Sequence, residues 1–292
     1  MEQVIEFSKM QALGNDYLYL NLFDEGLSKK LSGININQLA KEMSDRHFGC
    51  GSDGLVLIQP GQAAPVAMRM FNADGSESEM CGNALRCVAR FAYEHRLVKE
   101  IEFQIETKAG LRRVEVILQN HRIQTIRAEM GVPQLQGTAI PSRLEAEEVL
   151  DHGFDILGQS FQASLVNMGN PHFVTFVEDV GSLYLERIGP PIENHSLFPR
   201  RINAEFVEVH NPHRAKQRTW ERGAGETLAC GTGACAVTVA GILTGRLKSP
   251  VNIGLLGGEL LLEWAGKGHP VFLTGTAEFV YQGQYSVKTK AE

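Results

Sequence analysis

The sequence predicts an α+β fold made of two pseudo-symmetric, strand-rich domains that arose by internal duplication, each with a central helix. Two observations carry this. Short runs rich in Val, Ile and aromatic residues alternate with turns along the whole chain, which is the texture of strands rather than of helices. A pair of motifs also recurs in the same order in each half. Leu13-Gly14-Asn15-Asp16 in the first half answers Met168-Gly169-Asn170-Pro171 in the second. Asn15 precedes Cys81 by 66 positions, and Asn170 precedes Cys230 by 60. Both cysteines follow an acidic, Gly-containing turn, NADGSESEMCGN in one half and ERGAGETLACGT in the other. Both precede a helical segment that closes in a similar phrase, HRLVK at 95–99 and GRLK at 245–248.

Taken in order, VIEFSKM, DYLYLNLF, GLVLIQ, AMRMFNA, IEFQIET, RRVEVILQ and RIQTIRAEM read as strands of the first half. INQLAKEMSDRH between them has helical spacing, with Asn35 or Asn37 as its N-cap. In the second half FQASLVNMG, HFVTFVE, AEFVEVHN, QRTWER, GELLLEW and PVFLTG read as strands. Four to six helices are expected in all. The boundary falls near Met130-Gly131-Val132-Pro133, which gives domains at 1–130 and 131–276.

Bulk composition bounds the function. The chain has 292 residues, 43% hydrophobic and 21% charged, an ordinary globular balance with material for a large core. A net charge of −6 offers no electrostatic footprint for nucleic acid or an anionic membrane. No apolar run approaches the length of a membrane-spanning helix, and MEQVIEFSKM does not read as a secretory signal. Five cysteines, an odd number, do not form a disulfide framework, so a reducing cytoplasm is the expected setting.

The chemistry is expected at the two Cys-Gly-polar turns. A helix N-terminus leaves backbone N–H groups unsatisfied and carries partial positive charge, so it holds anions. The N–H groups of Gly82-Asn83 and Gly231-Thr232 are placed to hold a carboxylate. The same field is expected to lower a thiol from about 8.5 toward neutrality. Two such sites facing one another suit removal of a proton α to a carboxylate by a thiolate and its return on the other face by a thiol. That chemistry inverts a stereocentre and requires no pyridoxal phosphate or other cofactor. Cys81 and Cys230 are the candidate acid and base.

Plainer readings stand beside this one. Cys87 and Cys235 lie within apolar helix and read as packing, and Cys50 in FGCGSDG reads as incidental. Within each pair the cysteines are six and five apart, which does not suit zinc, and there is no Cys-x-x-Cys redox motif. FNADGSE at 71–77 also reads as a simple Asx turn, and ERGAGET at 221–227 as a Gly turn with a surface ion pair. Yet Glu221 and Arg222 beside a cysteine turn could bind an amino group and a carboxylate, the latter by a bidentate fork. A lone histidine such as His172 is more often structural than catalytic.

The motifs KMQALGND, RHFGCGSDG, MFNADGSESEMCGNALRCVARF, VNMGNPHFV, RRINAEFVEV and ERGAGETLACGTGACA, spread nearly end to end, resemble the diaminopimelate epimerase family. The resemblance implies two pseudo-symmetric domains with the active site in the cleft between them, and a last strand within 277–292 that returns to the first domain. It implies that Cys81 and Cys230 interconvert LL- and meso-diaminopimelate as the acid/base pair. It assigns Asn15, Asn72, Asn170, Asn203, Glu221 and Arg222 to substrate binding, with Arg222 on the distal carboxylate. It assigns the backbone of Gly82, Asn83, Gly231 and Thr232 to the reacting carboxylate. His172 and Glu221 are implied as supporting groups. No metal, nucleic acid or membrane partner is implied, and a homodimer is the family's usual state. Two departures stand out. Gly54 occupies a position where some members carry a substrate-contacting Gln, and Ala84-Leu85 replaces a common Gly-Ala. A related racemase for another amino acid such as histidine, a thiol redox or metal-binding protein, and a carboxylate-binding protein are the competing readings.

Overall fold

In the computed structural model, which describes residues 2–137 and 139–288, the chain divides into two compact units. Unit 1 comprises 1–128 and 275–292, and unit 2 comprises 129–274. Among the described residues no helix is long and apolar enough to cross a membrane.

Unit 1 opens with strands β1 (Glu2–Ala12) and β2 (Asn15–Asn21), then helices α1 (Glu25–Leu31) and α2 (Ile36–Ser44). Strands β3 (Gly54–Pro60), β4 (Val66–Asn72) and the short β5 (Glu77–Ser78) lead into helix α3 (Gly82–Glu94). Strands β6 (Glu102–Thr107), β7 (Gly110–Gln119) and β8 (Arg122–Glu129) complete its first pass. The α2 N-cap is Asn35, whose side chain accepts from the Gln38 N–H and satisfies one orphan donor of the first turn. Asn37 instead donates its amide to the Gly75 carbonyl at 2.7 Å and so ties α2 to the turn after β4.

Unit 2 runs β9 (His152–Ile156), β10 (Gln159–Asn167), β11 (Pro171–Val177), α4 (Leu185–Glu193), β12 (Asn203–Asn211) and β13 (Arg214–Glu221). It continues with β14 (Gly225–Thr227), α5 (Gly231–Leu243), β15 (Val251–Leu255), β16 (Gly258–Trp264) and β17 (Val271–Gly275). The final strand β18 (Glu278–Lys288) pairs antiparallel with β1, so the end of the chain returns to unit 1. Residues 289–292 of the returning segment expected from the sequence lie outside the described residues. Helix α4, which carries Pro190 and Pro191 inside it, was not among the segments singled out from the sequence.

The duplication is explicit in the strand pairings. In unit 1, β1–β2 is antiparallel, β2–β3 parallel, β3–β4 antiparallel, β4–β6 parallel, and β6–β7–β8 antiparallel. In unit 2, β10–β11 is antiparallel, β11–β12 parallel, β12–β13 antiparallel, β13–β15 parallel, and β15–β16–β17 antiparallel. Each half thus places one helix, α3 or α5, between a short strand and the parallel return. The unit 1 core gathers Ile5, Leu18, Leu20, Leu39, Met43, Leu55 and Phe71. That of unit 2 gathers Phe154, Leu165, Phe173, Phe198 and Phe206. Burial of these faces is what fixes strand register in each half.

Candidate active site

Cys81 and Cys230 are the N-cap residues of α3 and α5, each in extended backbone, with φ of −136° and −113°. Their carbonyls accept the first helical bonds, from Leu85 N–H at 2.9 Å and Ala234 N–H at 3.0 Å. Helix geometry therefore leaves the N–H groups of Gly82 and Asn83, and of Gly231 and Thr232, outside the intrahelical ladder. Each half owns an anion-attracting helix start with a thiol at its mouth.

In unit 1 three of the sequence-predicted residues, Cys81, Asn15 and Asn83, form one hydrogen-bonded group, and Asn72 stands outside it. The Cys81 thiol donates to Asn15 Oδ1 at 3.6 Å, and Asn83 Nδ2 donates to the same oxygen at 3.2 Å. Asn15 is held in turn by Asp53 Oδ2, which accepts from Asn15 Nδ2 at 2.7 Å and from the Asp16 N–H at 3.0 Å. Asp16 and Asp53 share Arg46, and Lys9 sits 2.6 Å from Asp16. Burial works against the Asp16 charge, but Lys9 and Arg46 hold its carboxyl below the usual range. Behind Asn83 lies Arg86, fully buried, donating to Asn83 Oδ1 at 2.9 Å, to Gly82 O at 3.2 Å and to Thr276 O at 3.2 Å. Asn72 is engaged locally, donating to Ser76 Oγ at 3.0 Å, while the Asx turn read in FNADGSE is made by Asp74, whose Oδ1 accepts from the Ser76 N–H at 2.8 Å. At Gly54 an added Cβ would stand 2.1 Å from the Phe71 carbonyl oxygen and 2.7 Å from the Tyr17 ring. Glycine there is dictated by the close approach of β2 and β4.

In unit 2 the Cys230 sulfur accepts from the Gly233 N–H at 3.3 Å and lies 3.5 Å from Thr232 Oγ1. Asn203 accepts from the Arg222 N–H at 2.8 Å and donates to Pro171 O at 2.9 Å, which clamps the ERGAGET turn onto β11. The Arg222 guanidinium donates to Arg200 O at 3.0 Å. Burial first, then the neighbouring Arg201 and Arg200, weaken its hold on its proton, and Glu193 opposes them. Glu221 accepts from the Thr227 hydroxyl. His172 is fully buried, with Nδ1 donating to Glu205 Oε1 at 2.8 Å and Nε2 2.9 Å from Asn170 Oδ1.

One sequence expectation is corrected. The helix start does not bring Cys230 toward neutrality. Burial first, then the charges of Glu221 and Glu205, push its thiol well up, against weaker help from Thr232 and the Gly233 N–H. A helix start favours a thiolate, but at Cys230, which is 4% exposed, burial and the charges of Glu221 and Glu205 outweigh it. Cys87 and Cys235 are fully buried in their helices, and burial pushes Cys87 up to about 11.

Sequence reading passed over Glu205, Gln217, Thr219, Asp53 and Arg86. Only Glu205 left a signal: a carboxylate inside the apolar strand AEFVEV. Cys230, His172 and Glu205 also offer ligand atoms within 4.8 Å of one another, a donor set whose types suit zinc. Those atoms are already committed. Glu205 accepts from His172, Gln217 and Thr219, and both His172 nitrogens face oxygens, so the set fits a hydrogen-bonded network better than a cation.

A model of the family described as diaminopimelate epimerase matches residues 7–136 and 164–280. The chain belongs to the diaminopimelate epimerase family. A diaminopimelate epimerase of Acetivibrio thermocellus is 46% identical over 280 residues, covering 96% of this chain and 98% of that protein. One from Methanococcus maripaludis is 44% identical over 283 residues, covering 97% and 100%. Among solved structures, a hydroxyproline epimerase from Agrobacterium vitis superposes with a TM-score of 0.66 at 15% identity, covering 97% of this chain and 93% of that one. A PhzF-family phenazine biosynthesis protein of Bacillus anthracis gives 0.66 at 16%, covering 98% and 100%. At such identities these structures share the fold of the diaminopimelate epimerase family and no more.

Proposed function

We propose that the chain interconverts LL- and meso-diaminopimelate by proton transfer at the α carbon, without pyridoxal phosphate or metal. The observation that carries this reading is the pair of thiol-bearing helix starts, one in each half of a duplicated fold, in a chain up to 46% identical to diaminopimelate epimerases along nearly its whole length. Cys81 and Cys230 serve opposite faces of the carbon, one as thiolate taking the proton and the other as thiol giving it, with roles exchanged in the reverse direction. The N–H groups of Gly82, Asn83, Gly231 and Thr232 hold the reacting carboxylate, where charge builds as the proton leaves. Asn15, Asn72, Asn170, Asn203 and Glu221 orient the amino acid, and Arg222 binds the distal carboxylate as a planar fork. His172 supports Cys230 through its neighbours.

The burial that holds Cys230 as a thiol suits it to give the first proton, and a substrate ammonium between Glu221 and the thiol would ease its ionisation afterwards. The product supplies lysine and peptidoglycan precursors, and the enzyme works as a cytoplasmic homodimer. Sedimentation of the purified chain tests the dimer. Exchange of the α-proton in deuterated water, followed with both diaminopimelate isomers and with histidine, tests the reaction. Exchange with diaminopimelate and none with histidine is expected. The opposite outcome overturns the substrate assignment.

A further inference from the structure

The duplication allows the two cysteine helices to be compared position by position. Strands β3 and β4 with helix α3 match β12 and β13 with α5 at positions 149 apart, the separation of Cys81 from Cys230. The strand registers agree with this offset. Val56 pairs with Met70 and Ile58 with Met68 in unit 1, while Glu205 pairs with Thr219 and Val207 with Gln217 in unit 2. Behind Cys81 the matched positions are Val56, Met70, Met68 and Ala84, all buried and apolar. Behind Cys230 the same four positions are Glu205, Thr219, Gln217 and Gly233. The fold at this place is satisfied by hydrocarbon in one copy, yet the other copy carries a fully buried carboxylate with a polar nest around it.

The nest is built for that carboxylate. Glu205 Oε2 accepts from Gln217 Nε2 at 2.7 Å and from the Thr219 hydroxyl, and Oε1 accepts from His172 Nδ1. At Gly233 an added Cβ would stand 2.5 Å from Glu205 Oε1, so only glycine in the first turn of α5 admits the carboxylate beneath the thiol. Gln217 Oε1 is buried with no hydrogen-bond partner, a further cost of the arrangement. A buried charge in place of a packed apolar cluster is a poor way to gain stability, since hydrophobic replacements of such groups are often neutral or stabilising.

We propose that Glu205 is a positioning residue for the Cys230 half of the reaction. It holds the His172 ring by Nδ1, His172 in turn fixes the amide of Asn170, and the carboxylate beneath the helix start keeps Cys230 a thiol until substrate is bound. With Nδ1 committed to a carboxylate, Nε2 faces the Asn170 side-chain amide at 2.9 Å and fixes which way that amide is turned. Among the described residues, the titratable groups facing the Cys230 thiol are Glu205 on β12, Glu221 from β13 and His172 on β11. Burial and the two carboxylates all raise the thiol. This role rests on Cys230 being an acid/base group, as proposed above.

Glu205→Gln keeps the shape and an acceptor for His172 while removing the charge. It is expected to melt close to the wild type, to lose kcat on the order of tenfold to a hundredfold with KM little moved, and to shift the pH dependence of turnover. In the resting protein, alkylation of Cys230 by iodoacetamide, read from the mass of its peptide, is expected to set in at lower pH than in the wild type. Unchanged kcat together with an unmoved alkylation curve overturns the proposal. A second variant, Glu205→Val with Gln217→Met, Thr219→Met and Gly233→Ala, copies unit 1 into unit 2. It is expected to fold with no loss of melting temperature and to be nearly inactive, and turnover near the wild-type rate also overturns the proposal. Should the wild type fail to turn over diaminopimelate while the Glu205→Gln alkylation shift is seen, the substrate assignment falls and the role of Glu205 stands.

Discussion

Cys81 and Cys230 occupy the same place in two copies of one fold, yet their surroundings differ in sign. Cys81 donates to the Asn15 amide, which Asn83 also meets, and the buried cation Arg86 holds Asn83 from behind. Around Cys230 stand the carboxylates Glu205 and Glu221, with His172 between Glu205 and Asn170. Cys81 is half-buried, whereas Cys230 is 4% exposed. A duplicated helix start supplies the thiol, but the strands beneath it decide which protonation state that thiol prefers. A reaction that removes a proton on one side and adds one on the other has use for such a difference.

The comparison can be broken most directly at the sulfurs. Cys81→Ser and Cys230→Ser are each expected to lower turnover by on the order of 10²–10⁴ or more, with far-UV dichroism unchanged. Loss in one variant only would reduce the pair to a single working thiol. Next in size is Arg222→Lys, which keeps the charge but not the fork. KM for diaminopimelate is expected to rise on the order of tenfold with kcat little affected, and an unchanged KM would detach Arg222 from the distal carboxylate.

Arg86→Met sharpens the contrast from the unit 1 side. It strips donors from Gly82 O, Asn83 Oδ1 and Thr276 O in a fully buried site. A stability loss of about 3 kcal/mol in urea denaturation is expected, with slower turnover because Asn83 is no longer held. Alkylation separates the thiols more gently. At neutral pH Cys81 is expected to react before Cys230, while Cys87, pushed up to about 11 by burial, stays unmodified. The smallest effect concerns acid. Asp16 titrates below its ordinary 3.8 because Lys9 and Arg46 favour its charge. Its contribution to unit 1 is complete above pH 3.8 and lost as pH falls through the lower folded value, which Asp16→Asn should abolish in an acid-unfolding curve.

The helix starts were legible because capping is local. Cys-Gly-polar after a Gly-containing turn marks an N-terminus whatever the chain does elsewhere, and α3 and α5 begin at Gly82 and Gly231. The duplication was legible as well, since Asn15 opens β2 and Asn170 stands one residue before β11, at the turns of matching antiparallel pairs. Helix α4, with two prolines inside it, was not singled out, and Asn37 looked like a cap because its real partner, Gly75 O, is 38 residues away. Asp53, which orients Asn15, was passed over for the same reason, its partner also lying 38 residues away.

By itself the sequence determined the strand-rich duplicated fold, the two thiols at helix starts and the polar groups in the turns beside them, because each follows from neighbours within a few positions. Tertiary structure decided the electrostatics. Glu205 and Val56 sit in similar apolar strands, and although a carboxylate in AEFVEV stands out in the sequence, nothing local says what it faces. Only when β11, β12, β13 and α5 pack together does Glu205 meet His172, Gln217 and Thr219, and only then does its charge bear on Cys230. A thiol's ionisation is set by every charge and dipole within a few ångströms and by the water it loses, and both are properties of the packed chain.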